Sequence, residues 1–254
     1  MPYDWSSLRQ PPPATLVGAR EAAHAAAQAV TRAARANLPA APDDSHSALF
    51  WDAKHAALVT APLAKRVKVG LDVANLEYVF FSELGWERGA SETWLDGRLK
   101  AAGLAPGAGV KLPYAGEVPK ARGKAAGLDA LARWFAAAAD ALEEVRTKHN
   151  ALAPSPAYLW PHHFDLATLL TVTKEKSIGV GISMGDHYYA QPYAYVSPYP
   201  APKDARRPAL PAGGHWHTKD FFGAAATADE LLAQKEPRAA LLAVVEAALK
   251  TFLD

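Results

Sequence analysis

Apolar residues recur at three- and four-residue spacing through 15–37, with Leu16, Ala19, Ala23, Ala26, Val30 and Ala33 along one side. That period predicts an amphipathic helix, delivered by Pro11, Pro12 and Pro13 and stopped at Leu38 and Pro39. His24 inside it reads as a solvated or core-edge histidine. Two apolar runs follow, at 48–61 and 67–81. The first reads as a strand broken near Asp52, Ala53 and Lys54. In the second, Val67, Val69, Leu71 and Val73 alternate with Lys68, Gly70 and Asp72, and Asn75 turns the chain into a returning strand. Asp72 is then expected to face solvent. Ser91 opens a helix to Leu104 that carries Trp94, Leu95, Leu99 and Ala102 at helical spacing. Residues 105–127 are rich in Gly and Pro and hold Lys111, Lys120, Arg122 and Lys124, read as a solvated loop with one extended piece at 110–119. The strongest helical stripe is Leu128, Leu131, Trp134, Phe135, Ala138, Leu142 and Val145, within 128–149. Glu143 and Glu144, about 100° apart on that helix, form a solvated face rather than a carboxylate pair.

Beyond residue 157 the pattern turns to strands. As one strand, 158–166 puts Trp160, His162 and Phe164 on one face and Pro161, His163 and Asp165 on the other. The run 177–183 sets Ile178, Val180 and Ile182 against Gly179 and Gly181, a face bare enough for a ring or ligand to reach the backbone. Met184, Gly185 and Asp186 turn the chain. A strand over 187–196 then aligns His187, Tyr189, Gln191, Tyr193 and Tyr195, with Pro192 marking an edge or a bulge. Residues 198–211 form a Pro-rich loop, and 201–212 are expected to be mobile. Gly213 and Gly214 lead into His215 and His217, which share a strand face, and 237–253 is an amphipathic helix. The order predicts an α+β fold, largely antiparallel sheet with helices packed on one face. It is read as a single domain over 1–254, with lobes at 14–104 and 128–254 joined by the loop 105–127. Both lobes run helix, strands, helix, an order compatible with a cryptic duplication, without a residue-level repeat.

With 254 residues, half of them hydrophobic, the chain can bury a full core. Its net charge of +1, without long charged runs, gives no footprint for nucleic acid. No segment has the roughly 20 apolar residues that span a bilayer. The amino terminus lacks the charged and apolar regions of a secretory signal, and the Ala/Arg-rich segment 14–37 fits a docked helix better than a transit peptide, so a cytoplasmic location is expected. Without cysteine there is neither a disulfide nor a thiolate nucleophile. No phosphate-binding glycine loop occurs, and GISMG at 181–185 lacks the spacing of a serine nucleophile elbow.

The candidate chemistry lies between residues 157 and 222, which hold five of the nine histidines among many aromatics. Ionisable groups beside flat aromatic walls are what a ligand pocket is built from. Trp160, His163, Asp165, His187, Tyr189, His215 and His217 are the candidate ligand-binding residues, and a small molecule is the expected partner. His215 and His217, two apart on a strand, can also face one ion, and neutral imidazoles suit zinc, iron, nickel or copper. That alternative is a metal-dependent hydrolase or oxygenase, and HWHTKDFFG resembles the first metal motif of cupins, although its acid is too close and the second motif is missing. Metal-free acid–base work by His163 with Asp165, or His187 with Asp186, is another reading. A structural or interaction protein is the third class.

The stretches LWPHHFDLA, GDHYYAQPYAYVSPYP and HWHTKDFFGA resemble a large family of uncharacterised bacterial proteins that pair an F-W-x-x-F-D-L-A strand with a tyrosine-rich, proline-closed strand. Upstream, SHSALF is similar to that family's W-H-x-x-L-Y stretch, with His46 matching its histidine and Ser45 replacing its tryptophan. The resemblance implies a shared fold and site, adds His46 to the ligand-binding candidates, and carries no assigned activity.

Overall fold

The helical and alternating periods are realised as five helices and eleven strands in the computed structural model, which describes residues 3–120, 123, 125–204 and 206–254. In chain order these are α1 (Val17–Asn37), β1 (Phe50–Asp52), β2 (Ala57–Val59), β3 (Lys68–Asp72), β4 (Glu77–Ser82), β5 (Gly85–Gly89) and α2 (Glu92–Ala101). Then come α3 (Leu128–Lys148), β6 (Tyr158–Trp160), β7 (Asp165–Thr171), β8 (Ser177–Ser183) and β9 (Tyr193–Tyr199). The chain closes with β10 (His215–His217), β11 (Gly223–Thr227), α4 (Ala228–Leu232) and α5 (Pro237–Leu253). The fold is α+β, with two antiparallel sheets. Among the described residues, no helix is long and apolar enough to cross a membrane.

Two compact units divide the chain. The amino-side unit comprises Leu16–Ala132 and Tyr158–Phe164; the carboxyl-side unit comprises Met1–Thr15, Arg133–Ala157 and Asp165–Asp254. The expected lobes 14–104 and 128–254 follow this division only in part, because α3 begins in one unit and continues in the other, and 158–164 return to the amino-side unit.

In the amino-side unit β1 to β5 form a meander in sequence order. Val69 and Leu71 are buried from solvent and α1 packs on β3, as the alternation predicts. Asp72 is corrected: it is buried, bonded to Asn75 and paired with Arg88 at 3.0 Å. Its partner comes from β5, a strand with exposed residues and no apolar alternation to reveal it. Ser91 caps α2, its hydroxyl accepting from the Trp94 amide. The loop expected over 105–127 lacks its extended piece at 110–119: those residues form turns and irregular chain. Arg122 and Lys124 lie outside the described residues.

In the carboxyl-side unit the antiparallel order is β10-β11-β9-β8-β7, so the last two strands are exchanged relative to sequence order. The two sheets therefore differ in strand order. Ile178, Val180 and Ile182 on β8 are buried, and α4 and α5 pack on β11. β11 is a glycine and three alanines ending in Thr227, a composition with weak strand preference and no apolar alternation to reveal it. The strand expected over 187–196 begins only at Tyr193. β9 lies between β8 and β11, so Pro192 precedes a central strand and does not mark an edge. The single strand over 158–166 is also corrected. A turn at 161–164 separates β6 from β7, closed by the Phe164 amide donating to the Trp160 carbonyl at 2.8 Å, with Phe164 at φ 58°.

Candidate functional site

His215 and His217 project from the same face of β10, as expected for residues two apart on a strand. The strand is reached through Gly213 and Gly214. A Cβ on Gly214 would come within 2.8 Å of the Val244 side chain, so glycine lets the chain pass tightly over α5. Between the histidines, Trp216 points the other way, stacked on Phe222 and edge-on to Phe252.

Both imidazoles converge on one oxygen. The Tyr189 hydroxyl lies 2.7 Å from His215 Nε2 and 2.8 Å from His217 Nδ1. Tyr189 is held there by the loop after β8, in which the Asp186 carboxylate accepts from the Tyr188 and Tyr189 amides. Such a side-chain-to-backbone turn is a common use of aspartate. On the far side of His215, Nδ1 is 3.1 Å from Glu230 Oε1. The other Glu230 oxygen accepts from the Thr227 amide and hydroxyl in the capping box of α4, so one carboxylate starts the helix and orients the histidine. On the far side of His217, Nε2 lies 2.6 Å from the Lys219 carbonyl. Phe221 stacks on the His217 ring at 4.0 Å, and Tyr188 meets it edge-on.

The four contacts from the Lys219 carbonyl through His217, Tyr189 and His215 to Glu230 form one continuous row, with the phenol between two rings whose nitrogens can give or accept a hydrogen bond. Burial, reinforced by the charges of Glu230 and Asp186, pushes the Tyr189 phenol above its ordinary range, so it stays protonated at neutral pH. His215, His217 and Tyr189 are all partly exposed.

A second tyrosine layer supports the first. Tyr193, in ring contact with Tyr189, donates to Asp186 at 2.6 Å, and burial pushes its phenol far upward. Tyr195 donates to the buried carboxylate of Asp165. Asp165 therefore serves in the sheet interior as the acceptor for a phenol. His187 is exposed, its ring against Tyr188.

The remaining candidates belong to the amino-side unit. His46 accepts the Ala41 amide at 3.1 Å and closes a local turn. Trp160 and His163 both meet the ring of His162, whose centroid is 4.0 Å from that of His163. The alternation of a single strand separates these histidines; the turn at 161–164 brings them together. His24, expected at a solvated or core-edge position, is buried, stacked on Phe164 and 2.8 Å from the Pro161 carbonyl. Burial pushes the imidazoles of His24 and His162 down to about 4, and neighbouring histidine charge adds to both shifts.

Among the described residues, no group of three or more His, Asp or Glu side chains is arranged to hold a metal ion. His215 and His217 supply two nitrogens, but Glu230 faces the wrong side of His215 to complete a set with them, and the phenol oxygen stands at their point of convergence. Residues sequence reasoning missed here are Glu230 and Asp186 as orienting groups. The T-x-x-E spacing at 227–230 was the available signal.

No protein-family profile, curated protein or solved structure matches the chain.

Proposed function

We propose that the Tyr189–His215–His217 cluster binds a small polar molecule and exchanges a proton with it through the Tyr189 hydroxyl. The observation that carries this reading is the convergence of two imidazole nitrogens on one phenol oxygen, with a carboxylate behind one of them. A proton leaving the phenol can be replaced from a neighbouring ring nitrogen, and Glu230 orients His215 from its far side. Tyr188 and Phe221 supply flat surfaces beside His217 for a planar ligand group. The reading includes a cytoplasmic location and the resemblance to uncharacterised bacterial proteins, whose members would share this site.

The test is a thermal-shift panel of small carboxylates, sugars and nucleosides on the parent protein and on Tyr189→Phe and His217→Ala. A compound that stabilises the parent should lose that effect in both variants, while their own melting temperatures stay within a few degrees of the parent. If His217→Ala unfolds the protein as severely as loss of a core phenylalanine, and no compound stabilises the parent, the cluster is structural. Stoichiometric zinc, iron, nickel or copper in the purified parent would also overturn the assignment.

A further inference from the structure

A groove of about 320 Å³ lies in the carboxyl-side unit, where the start of β8, the end of β9 and the last turn of α5 meet. Its lining is mixed: Ile178, Pro198 and Phe252 form an apolar wall, Ser177 and Thr251 add hydroxyls, and Tyr199 beside them is 72 % exposed. Two exposed cations, Lys176 and Arg206, stand in the lining, and neither is taken up by an ion pair among the described residues. Asp204 is the lining's carboxylate, leaving a local excess of one positive charge. None of these residues belongs to the histidine cluster.

We propose that this groove binds a small organic anion with a flat apolar body. The volume lies at the lower end of the range for small-molecule sites, so the ligand is compact. The apolar wall, next to the exposed Tyr199, favours a ring system lying against that phenol. The guanidinium of Arg206 offers a planar pair of donors to a carboxylate or sulfonate, and Lys176 a second, point-like charge. Phe252 also packs edge-on against Trp216, the residue between the two histidines of β10, so an occupant of the groove touches a wall shared with that strand.

The probe is 8-anilinonaphthalene-1-sulfonate, compared with N-phenyl-1-naphthylamine, which has the same ring system without the charge. The expected result is saturable one-to-one binding of the sulfonate, at least tenfold tighter than the neutral amine. The double variant Lys176→Glu, Arg206→Glu should weaken the sulfonate at least tenfold with an unchanged melting temperature, and Tyr189→Phe should bind like the parent. Equal affinity for the two probes, or equal affinity in the charge-reversed variant, overturns the proposal. So does loss of binding in Tyr189→Phe, because the probe then sits at the histidine cluster. The groove and the cluster can thus fail separately.

Discussion

Tyr195 lies over Gly181, its cross-strand partner, so closely that a Cβ on the glycine would fall 2.5 Å from the ring carbon bearing the hydroxyl. The bare face of β8 is therefore occupied by an aromatic ring of the protein itself. Gly181→Ala should displace Tyr195, break its hydrogen bond to Asp165 and cost about 1–3 kcal/mol. Gly179→Ala is the control. There the nearest atoms are 3.8 and 4.0 Å away, ordinary contact distances, so the loss should be below about 1 kcal/mol. Chemical denaturation of both variants measures the difference, and equal losses would mean that ring packing is not what requires glycine.

Acid should weaken the amino-side unit through its histidines. Burial holds His24 and His162 at about 4 in the folded protein, against an ordinary value of 6.5. The unfolded chain thus binds protons that the folded chain refuses, and stability falls as pH drops from 6.5 towards 4. For His24 the shift corresponds to at most about 3 kcal/mol, and for the more open His162 to less. His24→Gln keeps a donor for the Pro161 carbonyl but cannot titrate. Its denaturation midpoint should vary less between pH 6.5 and 4.5 than the parent's, and parallel curves would show that His24 is not a source of the acid lability.

Phe164 combines full burial with a left-handed backbone in the turn between β6 and β7. Phe164→Ala should cost about 3–5 kcal/mol, removing the stacking partner of His24 as well as core volume. Phe164→Gly removes the same ring yet suits φ 58°, so it should be no less stable than the alanine variant. A glycine variant weaker by the usual 1 kcal/mol or so of chain entropy would show that the turn carries no backbone strain.

The segment 201–212 is largely exposed, with Ala205 outside the described residues, and Trp216 ties it down by donating to the Pro208 carbonyl at 2.7 Å. Trypsin under native conditions should cut first after Lys203, ahead of that anchor. Trp216→Phe, which removes the donor, should speed this cleavage several-fold. A segment that resists trypsin while other sites are cut is rigid, contrary to its proline-rich, polar sequence.

Much of the architecture was legible from periodicity alone. The stripe on α3, the alternation of β8 and the span of α5 depend on the chain's own 3.6- and two-residue repeats, and burial follows those repeats wherever one face meets a core. The shared face of His215 and His217 was legible for the same reason. What lies on the other side of that face was not. Tyr189 reaches both histidines from an irregular loop shaped by Asp186, and Glu230 arrives from the cap of α4. Neither relation has a period along the chain. β5 and β11 were hidden because one has exposed residues and the other consists of small ones, so neither carries an apolar alternation; only pairing with a neighbouring strand makes them sheet. Asp72 shows the limit most simply: alternation assigned its face, but a guanidinium from that hidden strand decided that the face would be buried. Local sequence determines which backbone period is favourable, whereas partners distant in sequence determine which polar groups can leave water, because a buried charge is tolerated only where another chain segment supplies its counterpart.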